Sequence, residues 1–106
     1  MDELVVTIFR SRLKADAGGE YFTLAEEMEQ LARSMPGFVE FKTFVADDGE
    51  RLSLVGFDSA AAQEAWRRHP RHRVAQQLGR ERFYDYYRIQ VCMLLSERTF
   101  ESPSKQ

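Results

Sequence analysis

An α+β fold, in which a four-stranded antiparallel sheet carries its helices on one face, is predicted for this 106-residue chain by three features. Short β-branched and aromatic runs at residues 4–13, 38–45, 51–57 and 83–98 have the composition of strands. Between them, Tyr21, Leu24, Ala25, Met28, Leu31, Ala32 and Met35 recur at the 3-4-3 spacing of one helix face. The resulting order, strand, helix, strand, strand, helix pair, strand, repeats a split β-α-β unit and gives a ferredoxin-like βαββ(αα)β layer.

Each element has its own warrant. Leu4-Val5-Val6-Thr7-Ile8-Phe9 reads as a buried strand running to about Leu13. Residues 14–19 form a loop closed by Gly18-Gly19, a pair expected to break both helix and strand. The helix that follows sets Glu26, Glu27, Glu29 and Arg33 opposite its apolar stripe and stops at Pro36-Gly37. Asp47-Asp48-Gly49 suits a tight hairpin turn between the second and third strands. Asp58 or Ser59 caps a helix through Ala60, Ala61, Ala62, Ala65 and Trp66, because a short side-chain oxygen can accept the free amides of a first turn. Pro70 ends that helix near His69 and starts a second, which Gly79 terminates. In the last strand Tyr87, Ile89, Val91, Met93 and Leu95 alternate with Arg88, Gln90, Cys92, Leu94 and Ser96. Residues 1–100 make a single domain, and 101–106 a polar, frayed tail.

Composition narrows the function. With 43% hydrophobic and 30% charged residues the chain is an ordinary globular one rather than a disordered one. A formal charge of −2 gives no overall pull toward nucleic acid. The lone Cys92 cannot form an internal disulfide, and its apolar neighbours predict a small buried core residue. The start Met1-Asp2-Glu3 lacks the pattern of a signal peptide, and no apolar run reaches membrane-spanning length, so a cytoplasmic location is expected, with no membrane partner. The alternating residues of the second strand place apolar side chains on both faces, so the face without helices needs a cover. A second copy, sheet against sheet, supplies it: a homodimer.

The chemistry-bearing residues crowd into one stretch, 65–87, which holds the only Trp, both His and three of the four Tyr. Residues of those types gathered in a short span point to a shared pocket, against the plainer reading of a closed core with a charged outer face. Metal is not expected. Two His without a nearby acid make a poor ligand set, and Arg67, Arg68, Arg71 and Arg73 repel a divalent cation.

The element order, the Met35-Pro36-Gly37-Phe38 stop-and-start, and Trp66-Arg67-Arg68-His69-Pro70-Arg71-His72 followed by Gly79-Arg80 and a tyrosine-rich last strand resemble the antibiotic biosynthesis monooxygenase superfamily. The resemblance runs from about Val5 to about Phe100 and implies a dimeric α/β-barrel. Its members include oxygenases, haem-degrading enzymes and proteins with no assigned activity, so fold alone does not choose among them. The haem-degrading branch carries a Trp, a His ten residues later that ligates iron, and an Asn on the first strand. Here Trp66 fits, but Gln76 stands in the ligand position and Ser11 on or near the Asn position. Gln is not among the usual haem-iron ligands.

The cofactor-independent oxygenases of the superfamily act on electron-rich phenols, quinols or anthrones. Such chemistry asks for an apolar slot, a proton acceptor and a group to hold an oxyanion. Trp66 is the stacking residue, His72 the base and Arg80 with Tyr84 the oxyanion holder. His69 and Gln76 complete the expected substrate contacts, and no cofactor is called for. Each has a bland alternative: Trp66 as a core anchor, His69 as a helix-end hydrogen bonder, the arginines as a solvated face. The competing function is a non-catalytic dimeric protein that binds a small aromatic or anionic molecule or assists a neighbouring enzyme.

Overall fold

In the computed structural model, which describes residues 3–103, strand β1 (Val5–Leu13) buries Val5, Thr7 and Ser11 and leaves the residues between them part-exposed. That alternation decides which side of the sheet meets the helices. Helix α1 (Gly18–Ser34) follows, then β2 (Phe38–Val45), β3 (Arg51–Phe57), α2 (Ala60–Arg68), α3 (Pro70–Leu78), a π-helical turn (Gly79–Phe83) and β4 (Tyr84–Met93). The strands lie in the order β2-β3-β1-β4, every pair antiparallel, which is the ferredoxin-like arrangement expected. The last three residues of the predicted tail, 104–106, and Met1-Asp2 at the start lie outside the described residues.

Register places Val5, Thr7, Phe9 and Ser11 beside Phe57, Val55, Ser53 and Arg51 of β3 on one side, and beside Met93, Val91, Ile89 and Tyr87 of β4 on the other. This is the helix-facing side. Helix α1 delivers Tyr21, Met28 and Ala32 to it, the stripe its spacing predicts. Trp66 of α2 joins Ala32, Val55 and Phe57 in a closely packed cluster flanked by Phe38 and Phe41. The turn between α1 and β2 tolerates only glycine at Gly37, whose φ is +85° and whose absent Cβ would sit 2.6 Å from Asp58 Oδ1. The opposite side of the sheet carries Val6, Ile8, Leu52, Leu54 and Phe44 with no helix over them.

Several expectations need correction. Cys92 is exposed, because the alternation of β4 sends it to the helix-free side opposite Val6 rather than into the core. The last strand ends at Met93 and not near Arg98, since its partner β1 begins at Val5 and offers one further hydrogen bond, Leu94 amide to Leu4 carbonyl. Gly18 and Gly19 lie inside the first turn of α1 instead of ending a loop before it. Gly79 does not stop α3: with helical angles it carries the chain on into the π-helical turn. In β2 the strict alternation breaks at a bulge between Phe38 and Glu40, which lets Phe38 and Phe41 share the helix side.

Candidate functional site

The site is made by the proline break. Pro70 keeps His69 in an extended conformation, φ −57° and ψ 135°, so α2 stops at Arg68 and α3 sets off in a new direction. The first turn of α3 then brings His72 back across the end of α2. Its ring stacks on the Trp66 indole, centroids 4.2 Å apart and planes 20° from parallel. On its other side the indole packs on Phe57 at 5.5 Å, which fixes it between sheet and imidazole.

His72 Nδ1 lies 3.2 Å from the Trp66 carbonyl, which also accepts the His69 amide at the end of α2. A carbonyl only accepts, so Nδ1 carries the proton and Nε2 is the bare nitrogen. Burial lowers the His72 pKa below the ordinary imidazole value, an effect the Trp66 carbonyl partly opposes. The ring is therefore neutral at pH 7, with one basic nitrogen available.

A cavity of about 290 Å³ opens beside this pair, between the helices and the sheet. Tyr84 forms part of its far wall, in edge contact with Phe9 at 5.5 Å and with Tyr21 at 5.8 Å. The ring lies against Gly79, where a Cβ would meet it at 2.6 Å, so glycine at that position is what admits the tyrosine. Burial first, and then the Tyr21 hydroxyl, raise the Tyr84 pKa far above its usual value. Tyr84 stays a neutral phenol, able to donate a hydrogen bond and unable to act as a base.

Five of the six predicted site residues, Trp66, His72, Gln76, Arg80 and Tyr84, line this cavity. His69 does not: its Nδ1 accepts the Arg71 amide at 3.1 Å and caps α3, a use the extended backbone before Pro70 imposes. Its expected helix-end role is met through an amide rather than a carbonyl. Of the arginines, Arg67 reaches the cavity wall but is matched by Glu64 at 2.6 Å, and Arg71 pairs with Glu27 on the charged outer surface.

Two buried polar residues of the wall are not among the residues the sequence singles out. Thr7 and Gln63 are 5% and 6% exposed and both line the cavity. Each left a signal. Gln63 is a polar residue one helical turn before Trp66 on an inward face otherwise made of alanine, and Thr7 interrupts the apolar run of β1 on its buried side. Thr7 Oγ1 and Trp66 Nε1 are buried without a hydrogen-bond partner, an arrangement that costs about 1–3 kcal/mol for each such group. Gln76, ten residues after Trp66, lines the cavity and is not among the usual haem-iron ligands.

A ferredoxin-like sheet whose helix side encloses an aromatic-walled cavity defines the class of α+β protein at hand. More closely, the chain belongs to the antibiotic biosynthesis monooxygenase family, whose sequence profile it matches over residues 4–78. It is 31% identical over 91 residues to the uncharacterized protein YqjZ of Bacillus subtilis, covering 86% of this chain and 80% of that one. Among solved structures it is similar to Rv0793 from Mycobacterium tuberculosis, with a TM-score of 0.80 at 21% identity over 91% of this chain and 99% of that one. A variant of SnoaB, a cofactor-independent oxygenase from Streptomyces nogalater, superimposes with a TM-score of 0.76 at 11% identity, over 89% of this chain and 95% of that one. These two structural likenesses establish the fold. Among the described residues no helix is long and apolar enough to cross a membrane.

Proposed function

We propose that this protein is a cofactor-independent monooxygenase for a small phenolic or quinol-type aromatic substrate, working as a homodimer. The observation that carries the reading is His72: a neutral imidazole with Nδ1 tied to the Trp66 carbonyl, in a residue that lines an aromatic cavity. Family membership and the SnoaB likeness support the reaction class. The helix-free face, with Val6, Ile8, Leu52, Leu54 and the exposed Phe44, supports the second copy.

In this reading the substrate ring lies against the indole of Trp66 while His72 Nε2 takes the proton of the ionising group. The electron-rich carbanion or phenolate passes electrons to dioxygen, and a carbon–oxygen bond forms as a peroxide. Cleavage of the O–O bond, with the proton returned from His72, leaves a carbonyl on the ring and releases water. A ring methylene loses four electrons in this sequence and dioxygen gains four, so no other reductant is needed. The neutral Tyr84 hydroxyl holds the developing oxyanion.

Oxygen uptake by the purified protein with anthrone or 1,4-naphthoquinol tests this directly. The rate is expected to exceed buffer, and His72→Ala to lower the enzymatic part by about 10²–10⁴-fold. A base must be unprotonated, and the His72 pKa lies below 6.5. Turnover therefore falls only in acid and is flat through neutral pH. A rate equal to buffer, or one indifferent to His72→Ala, overturns the oxygenase reading; bound ligand without oxygen uptake then favours the binding or auxiliary protein.

A further inference from the structure

Burial divides the polar groups of the cavity wall into a closed end and a solvent end. At the closed end stand Thr7, Gln63 and Trp66, all more than nine-tenths buried, with Thr7 Oγ1 and Trp66 Nε1 unpartnered. At the solvent end stand the two charged wall residues, Arg67 and Arg80, both exposed. Among the described residues no Asp or Glu lines the cavity. Arg67 already has its counter-ion in Glu64, whereas Arg80 forms no ion pair among the described residues. The mouth is thus held by one uncompensated cation beside a wall of rings, and a low-dielectric wall strengthens its pull on an anion.

We propose that the ligand of this cavity is an aromatic acid: a flat fused-ring system with a hydrogen-bonding oxygen at the end facing Thr7 and Trp66, and a carboxylate at the opposite end held by Arg80. The inference rests on the functional reading above for the kind of ring bound, and adds the substituents and their order. A ring oxygen that accepts from the Trp66 indole N–H and exchanges a hydrogen bond with the Thr7 hydroxyl relieves two buried groups that the protein itself leaves unpaired. A guanidinium matches a carboxylate in two parallel hydrogen bonds, which a neutral substituent cannot offer. Cationic aromatics are excluded at the mouth by the same charge. Gln63 is the third polar residue of the closed end and discriminates among oxygen substituents there.

Calorimetric titration with 6-hydroxy-2-naphthoate, 2-naphthol and 2-naphthoate separates the two ends. The hydroxynaphthoate is expected to bind about tenfold or more tightly than 2-naphthol, and Arg80→Ala to remove that advantage while leaving 2-naphthol within about twofold. Arg80→Lys keeps part of it, because a point charge remains. Thr7→Val is expected to narrow the gap between hydroxynaphthoate and 2-naphthoate by several-fold, with Thr7→Ser retaining it. Equal affinities for the acid and the naphthol, an equal loss for both in Arg80→Ala, or no binding of any of the three overturns the proposal. A carboxylate preference without oxygen uptake leaves this inference standing and removes the oxygenase reading. Turnover of a neutral quinol by a protein indifferent to the carboxylate does the reverse.

Discussion

The space between helices and sheet is solid at one end and hollow at the other. Around Phe57, the side chains of Ala32, Val55 and Trp66 close on one another, and Leu31, Met35, Phe38, Phe41 and Ala62 fill the remaining volume. Toward the far end of α1 lies the hollow, bordered by Tyr84 and by Tyr21 and Phe83 of a second cluster that also holds Ala17. Both ends are built from aromatic residues, so hydrophobicity does not distinguish them. Polarity does: Thr7, Gln63 and His72 all border the hollow, and none belongs to either packed cluster. An apolar void of this size is destabilising, and a protein that keeps one while burying polar groups around it has given up stability at that place.

The most damaging change is predicted at the solid end. Phe57 is fully buried, and Phe57→Ala removes its ring contacts with Phe38 and Trp66, for a loss of about 3–5 kcal/mol. A urea midpoint measures this directly; a loss below about 1 kcal/mol shows that the solid end is not the stabilising one. A pair of matched enlargements sharpens the contrast. Ala32→Leu forces extra volume into a filled site and is expected to cost about 1–3 kcal/mol or more. Ala75→Leu puts the same atoms on the cavity wall and is expected to leave stability within about 1 kcal/mol while abolishing ligand binding. Equal destabilisation by the two substitutions contradicts the description of one end as hollow.

The solid end was the legible one. The 3-4-3 stripe of α1 names Met28 and Ala32, and the composition of residues 51–57 names the strand that carries Val55 and Phe57. The cavity was legible in part. Trp66, His72 and Tyr84 stand out because unusual residues cluster in sequence, Gln76 and Arg80 through the family resemblance, and the Pro70 break that stacks His72 on Trp66 is a local event. Thr7 joins the same wall from about sixty residues away through β-sheet register, which a local reading does not supply. Cys92 failed for the opposite reason. Its apolar neighbours suggested burial, yet the face a strand residue occupies is set by pairing, and the pairing puts Cys92 beside Val6. The π-helical turn after Gly79 was hidden because glycine at a helix end ordinarily stops it, whereas here Gly79 is needed to seat the Tyr84 ring.

A smaller effect with an informative sign is predicted for Thr7→Val. The substitution keeps the shape of the side chain and removes a buried hydroxyl with no partner. In the ligand-free protein it is expected to raise stability by about 1 kcal/mol, or several degrees in Tm for a domain of this size. At the solid end no equivalent gain is available, because among the described residues the other buried unpartnered side-chain atom is Trp66 Nε1, which a ligand in the cavity is proposed to satisfy. Thermal melts of Thr7→Val with and without 6-hydroxy-2-naphthoate separate a hydroxyl kept for a ligand from one that is merely tolerated. A more stable apo form that has lost ligand-induced stabilisation supports the first; unchanged ligand-induced stabilisation supports the second.

The two histidines give the finest version of the same comparison, three residues apart and put to different uses. His69 spends its Nδ1 on the Arg71 amide at the start of α3 and stands clear of the cavity. His72 donates from Nδ1 to the end of α2 and lines the cavity. His69→Ala removes a cap and is expected to lower stability by about 0.5–1 kcal/mol, with turnover per folded molecule within about twofold of the parent. His69→Asn, a side chain that also caps, restores the stability. If His69→Ala instead lowers turnover as far as His72→Ala does, while the melting curves of the two variants coincide, then the proline break positions both rings for the substrate and the division of labour drawn from their hydrogen bonds is wrong.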